Sequence, residues 1–266
     1  MGLAGAIASG YQGGMLTTIL HGTPTDTPPL VIAHGLYGSG RNWGVIARRL
    51  ADERQVIAVD MRNHGHSPWA ETHDYPAMAA DLAEVIEAHG GRADLLGHSM
   101  GGKAAMMLAL THGHLLRRLV VADIAPVTYT HSQMPFIAAM RGVDLSRVER
   151  RSDAEEMLAA QGVEKALQSF FTQSLDLPGK RWRLNLDGLA ANMPAIMSFP
   201  DISAHWDGPT LFLTGSISDY VRAEHRPLIR DLFPAARFAK IPGAGHWLHA
   251  DKPREFEAAV RVFLNA

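Results

Sequence analysis

Short, mainly apolar runs recur along this chain, and most of them stop at a glycine, histidine or aspartate: residues 15–20 (MLTTIL), 30–33 (LVIA), 56–59 (VIAV), 93–96 (ADLL), 119–122 (LVVA), 210–214 (TLFLT) and 236–241. Between them, apolar positions return at helical spacing. Trp43, Ile46, Ala47 and Leu50 share one side of 41–50, and Met78, Leu82, Val85 and Ile86 one side of 75–89. Residues 226–232 and 253–264 also read as helices. Continuous apolar strands alternating with helices predict a parallel sheet covered on both faces. The rhythm breaks at Pro126. From 126 to 206 the pattern gives helix-like segments (134–140, 154–160, 163–173 and 181–193) and no persuasive strand, and then the alternation resumes. The expected organisation is an extension over 1–14, an α/β core of 15–125 and 207–266, and a helical cap over 126–206.

The run at 93–96 leads into Gly97-His98-Ser99-Met100-Gly101 and then a helix rich in small residues. A strand turning sharply into a helix at G-x-S-x-G is a nucleophile elbow. The spacing is steric: the serine sits on a tight turn, and Gly97 and Gly101 let strand and helix pass closely. Helical N–H groups then point to where negative charge would develop.

Composition narrows the options. The chain has 266 residues, 47% hydrophobic and 20% charged, with net charge −2, which describes a globular protein without an electrostatic footprint for nucleic acid or membrane. Cysteine is absent, which excludes disulfides, thiolate metal sites and a cysteine nucleophile. No apolar run approaches the ~20 residues that span a bilayer. The first fourteen residues carry no Lys or Arg, unlike a secretory signal, so a cytoplasmic location is expected. His64 and His66 alternate as metal ligands sometimes do, but no acidic partner motif accompanies them, and no cofactor or metal is expected.

In open parallel sheets ligands bind outside the carboxyl ends of the strands. The loops at those ends carry His34-Gly35-Leu36, Asp60 to Ser67, the elbow, Asp123, Gly215 to Asp219, and Gly243 to His246. A serine hydroxyl needs a base within hydrogen-bond reach. Among fourteen histidines, His246 stands in a glycine-rich turn after the last strand, downstream of the serine and of both candidate acids. The oxyanion donors expected are the N–H groups of Met100 and Leu36, with Gly35 allowing the backbone to approach. Gly35, Tyr37, Asn63, His98 and Trp247 are candidate substrate contacts, and His64 is a further one. Asp60, Arg62 and Lys103 read as scaffold, and His249 as a neighbour of the base. Trp182, Met193, Met197 and Phe199 are either acyl-pocket lining or core.

HGLYGSGRNW, DMRNHGHSP, GHSMGGK, VADIAPV and GAGHWLHADKP together resemble the α/β-hydrolase superfamily. More narrowly, they are similar to small bacterial esterases and thioesterases related to the abhydrolase-domain-11 proteins. The resemblance implies a twisted, mostly parallel eight-stranded sheet flanked by helices, a helical cap, and cofactor-independent hydrolysis of short- to medium-chain acyl groups.

The acid is the open position. In the commonest version of this fold it lies three residues beyond a glycine after the strand before last. Counted from Gly215 that residue is Ser218, with Asp219 one further. The related esterases imply Asp123, in D-I-A-P-V, and this is the preferred assignment, with Asp219 the alternative. The expected function is a serine carboxylesterase or thioesterase acting on a small acyl ester or thioester through Ser99, His246 and Asp123. Alternatives are a same-fold hydrolase of lactones or C–C bonds, and a non-catalytic binding relative. Oligomeric state is not encoded in any motif.

Overall fold

The computed structural model describes residues 15–266, and the expected extension over 1–14 lies outside them. The core opens with β1 (Thr18–His21) and β2 (Leu30–Ala33). A 3₁₀ turn (Gly40–Trp43) runs into α1 (Gly44–Leu50), followed by β3 (Val56–Val59), α2 (Tyr75–Ala88), β4 (Ala93–His98), α3 (Met100–His112) and β5 (Leu116–Ala122). After β5 come α4 (Met134–Arg141), α5 (Arg151–Ala160), α6 (Lys165–Thr172), β6 (Leu175–Asp176), β7 (Arg181–Trp182), α7 (Leu186–Ala191) and α8 (Met193–Met197). The core closes with β8 (Thr210–Gly215), α9 (Arg226–Leu232), β9 (Ala236–Ile241), α10 (Leu248–Asp251) and α11 (Pro253–Leu264).

The main sheet has the order β1-β3-β2-β4-β5-β8-β9, and only β1 runs antiparallel to its neighbour. It has seven strands among the described residues, where eight were expected, because β1 alone forms the antiparallel edge. Alternation along each strand divides the core. Ile32, Leu96, Val120 and Leu211 lie side by side in register and pack with Trp43, Ile46, Phe256 and Val260 on one face. Val31, Leu95, Leu119 and Phe212 point the other way, toward Met78, Leu82 and Ala105 of α2 and α3. Each such side chain, fully buried, contributes about 1.5–3 kcal/mol, and together they fix the register on which the site depends.

The chain leaves β2 toward β3 and returns to place β4 on the other side of β2. The topological switch therefore lies between β2 and β4, where a crevice opens at the strands' carboxyl ends. The loops at its rim carry His34 to Gly38 and Ser99.

The segment after β5 corrects one expectation. Residues 181–193 do not form one helix: Arg181–Trp182 pairs with Leu175–Asp176 as a small antiparallel hairpin, and α7 and α8 follow. The turn Leu177-Pro178-Gly179-Lys180 explains it. Asp176 accepts the Gly179 N–H and pairs with Arg181 at 3.1 Å, closing the hairpin.

Both ends of this insertion are tied to the core by Lys103 on α3. Its side chain is buried, and its ammonium donates to the carbonyls of Val127 (2.7 Å), Met197 (3.1 Å) and Ser198 (2.7 Å). The Tyr129 ring lies 4.8 Å from Nζ. Burial pushes this ammonium down to about 7, while the three acceptors and the ring face favour the charged form.

Candidate active site

Ser99 follows the last residue of β4 and precedes α3 with φ 53° and ψ −120°, a conformation that costs an L-residue of order 1–3 kcal/mol. The surroundings leave it no room to relax. A Cβ on Gly97 would lie 2.2 Å from the Gly101 carbonyl oxygen, and one on Gly101 would lie 2.3 Å from that of Ala33. The strand–helix crossing thus closes only with glycine at both places.

Ser99 Oγ lies 3.1 Å from His246 Nε2, and His246 Nδ1 lies 2.8 Å from Asp123 Oδ2. Asp123 is fully buried directly after β5, itself at φ 52°, and receives two further donors: the Gly215 N–H on Oδ1 (3.1 Å) and the Ser218 hydroxyl on Oδ2 (2.5 Å). These contacts fix the carboxylate's position, and a carboxylate at Nδ1 sets the tautomer that leaves Nε2 free to accept a proton. Asp219 is exposed, with its backbone carbonyl accepting from Arg222. The end of β8 and the loop after it therefore support Asp123 through Gly215 and Ser218.

The expected oxyanion loop lies beside the serine. A Cβ on Gly35 would come within 3.2 Å of Ser99 Cβ, so the backbone leading to Leu36 passes against Ser99, and the Gly38 N–H closes the turn on the Gly35 carbonyl. Buried histidines brace this loop and the elbow beside it. His34 donates from Nδ1 to the Gly35 carbonyl and accepts the Met61 N–H at Nε2. His64 donates to the Arg62 carbonyl and accepts the Tyr37 N–H (3.1 Å), stabilising Tyr37 at φ 65°. His73 donates to Met100 Sδ and accepts from the Asn63 amide. Each function requires the neutral ring, and burial pushes His34 down to about 4 and His64 to about 3.

Of the candidate contacts, Gly35, Leu36, Tyr37, His98, Met100 and Trp247 line one cavity with Ser99 and His246. Asn63 does not. It is fully buried, its carbonyl oxygen taken by the Ala70 N–H and the Asn185 amide, because the sequence put a polar residue at a strand end without showing that partners would consume it. His64 is likewise bracing. His98 donates from Nε2 to the His246 carbonyl at 2.8 Å and so fixes the His246 backbone. His249 stacks on Trp43, with centroids 4.1 Å apart.

The cavity, of about 330 Å³, is predominantly apolar. Leu36, Phe136, Leu167, Phe170, Phe171 and Ile196 contribute to its wall, most of them from the insertion. Met197 also lines it. Trp182 and Met193 are core, the Trp182 indole donating to the Met140 carbonyl, and Phe199 packs near Tyr75. No sequence signal pointed to Tyr220, whose ring stacks on His246 (centroids 3.8 Å apart, planes 16°), because a stack between distant loops has no spacing signature.

Comparison with known proteins agrees with this architecture. A family model described as "Alpha/beta hydrolase family" matches residues 30–259. The mouse sn-1-specific diacylglycerol lipase ABHD11 is 42% identical over 248 residues, covering 89% of this chain and 81% of its own. Esterase YbfF of Escherichia coli is 40% identical over 244 residues, covering 90% and 94%. A solved marine microorganism esterase superposes with TM-score 0.88 at 38% identity, covering 94% of this chain and 99% of that one. Among the described residues no helix is long and apolar enough to cross a membrane.

Proposed function

The chain belongs to the alpha/beta hydrolase family, and from that premise we propose that it is a serine carboxylesterase acting on short- to medium-chain acyl esters, with thioesters as the second substrate class. Ester hydrolysis is the common ground of its esterase and lipase relatives. The observation that carries the serine mechanism is the relay from Ser99 Oγ through His246 to Asp123, at 3.1 and 2.8 Å, opening on an apolar cavity.

In this reading His246 Nε2 takes the Ser99 proton as Oγ attacks the acyl carbonyl. The Leu36 and Met100 N–H groups receive the oxyanion, and one such donor typically stabilises it by ~2.7–4 kcal/mol. Asp123 stabilises the imidazolium that forms. His246 then protonates the departing alcohol or thiol. Water gives its proton to Nε2 and attacks the acyl-enzyme, and Ser99 regains its proton as the acid leaves. The insertion, as a cap, selects the acyl group by apolar contact.

The test is a series of p-nitrophenyl acyl esters and acyl-CoA thioesters on one preparation, alongside fluorophosphonate labelling. Ester turnover and labelling are expected in wild type, and both are lost in Ser99→Ala. A wild type that neither labels nor hydrolyses any ester or thioester would sink the reading.

A further inference from the structure

Four groups surround the His246 ring. Asp123 and Ser99 take its two nitrogens in the ring plane, and His98 holds its backbone carbonyl. The fourth is the Tyr220 ring, parallel to the imidazole to within 16° at 3.8 Å between centroids. Tyr220 is itself held at three points: its carbonyl accepts the Tyr129 hydroxyl (2.7 Å), its N–H donates to Ser218 Oγ (3.3 Å), and its hydroxyl meets His131 Nε2 (3.2 Å). Tyr129 accepts the Ala125 N–H in turn. A ring pinned this way is a fixed wall.

Resting on the serine-hydrolase reading, we propose that Tyr220 is a positioning residue for the base: its ring confines the imidazole to the plane shared by Asp123 and Ser99 and stabilises the imidazolium across its face. Two physical effects combine. Rotation about the His246 Cβ–Cγ bond would drive a ring edge into the tyrosine, so the productive rotamer is held without a hydrogen bond. The electron-rich phenol face also attracts a cation more than a neutral ring, and the imidazole is cationic only while the tetrahedral species exists. The stack therefore acts on turnover rather than on binding.

The other titratable groups facing His246 are Asp123 from the end of β5, His98 from β4, His249 from α10 and His131 from the insertion. Burial pushes all three histidines below their ordinary value, His249 to about 3. The form of His246 that takes the Ser99 proton is the free base.

The experiment compares wild type, Tyr220→Phe and Tyr220→Leu for kcat, KM and the pH dependence of kcat/KM on a p-nitrophenyl ester. Tyr220→Phe keeps the ring and is expected within about twofold of wild type. Tyr220→Leu is expected to lose about three- to thirtyfold in kcat with KM nearly unchanged, and its acid limb moves to lower pH by about half a unit to one unit. Fluorophosphonate labelling of wild type separates the two levels of failure. An unlabelled, inactive wild type overturns the serine reading and this inference with it. A labelled wild type whose acid limb superposes on that of Tyr220→Leu, or a Phe variant as impaired as the Leu variant, overturns the role of the ring alone.

Discussion

Asp123 Oδ2 sits 2.8 Å from His246 Nδ1 although 123 residues separate them in sequence. Both stand at carboxyl ends of the sheet, Asp123 directly after β5 and His246 in the turn after β9. A fully buried carboxylate at left-handed φ is expensive to install, and here it is compensated by donors from Gly215, Ser218 and the imidazole.

That contact separates the two candidate acids. Asp123→Asn leaves the shape but changes the tautomer preference at His246, and kcat is expected to fall by about 10⁴-fold on the serine-protease precedent. Asp219→Asn, at an exposed position, is expected within about twofold. Parallel turnover measurements check both, and the reverse order would refute the assignment.

At the proposed nucleophile, Ser99→Ala is expected to reduce turnover by about 10⁴- to 10⁶-fold and abolish labelling. Ser99→Gly should be equally inactive but the more stable of the two, because φ 53° and ψ −120° are open to glycine. Strain relief of about 1–3 kcal/mol exceeds the ~0.5–1 kcal/mol that glycine's freedom in the unfolded chain costs. Urea unfolding of the pair measures this difference; an alanine variant equal or superior in stability would show that the turn stores little strain.

Acid should weaken the fold through the buried histidines. His34 and His64 are neutral when folded, at about 4 and about 3, against about 6.5 unfolded. Below 6.5 the unfolded chain binds protons that the folded one refuses. Their contribution is therefore complete above about pH 7 and is lost progressively as pH falls from 6.5 toward 4 and then 3, at up to about 1.4 kcal/mol per unit for each ring. Thermal unfolding across pH 4.5–8 should show a plateau and then a steep fall below about 6. A flat profile would contradict the buried, neutral assignment.

Lys103→Met removes the donor to three carbonyls while keeping an apolar stem of similar length. The expected loss is about 1–3 kcal/mol, since the orphaned carbonyls outweigh the relief of a buried charge. Chain-length preference should broaden in the same variant, because Val127, Met197 and Ser198 border the insertion that shapes the cavity. Denaturant titration and the ester series read the two effects; unchanged stability would show that the ammonium's desolvation cancels its hydrogen bonds.

The sequence alone carried the α/β alternation, the elbow at Ser99 and the base candidate His246. Each depends on signals that are local in the chain: continuous apolar runs, glycines two residues either side of a serine, and a glycine-rich turn between strand and helix. It also carried Asp123 as a candidate, from its place at a strand end, with the preference over Asp219 coming from a resemblance. The hairpin across Leu177 to Lys180 was missed, because helical periodicity over 181–193 obscured it. Tertiary structure decided the rest. Whether Asp123 or Asp219 meets the imidazole depends on where two strand ends fall in the sheet, to within a hydrogen bond. Whether Asn63 faces substrate or scaffold depends on Ala70, His73 and Asn185 arriving to use its amide. The Tyr220 stack unites two loops with no common spacing. Periodicity reports which face of an element is buried; it does not report which distant group will satisfy a buried polar atom, and in this site those pairings set the geometry.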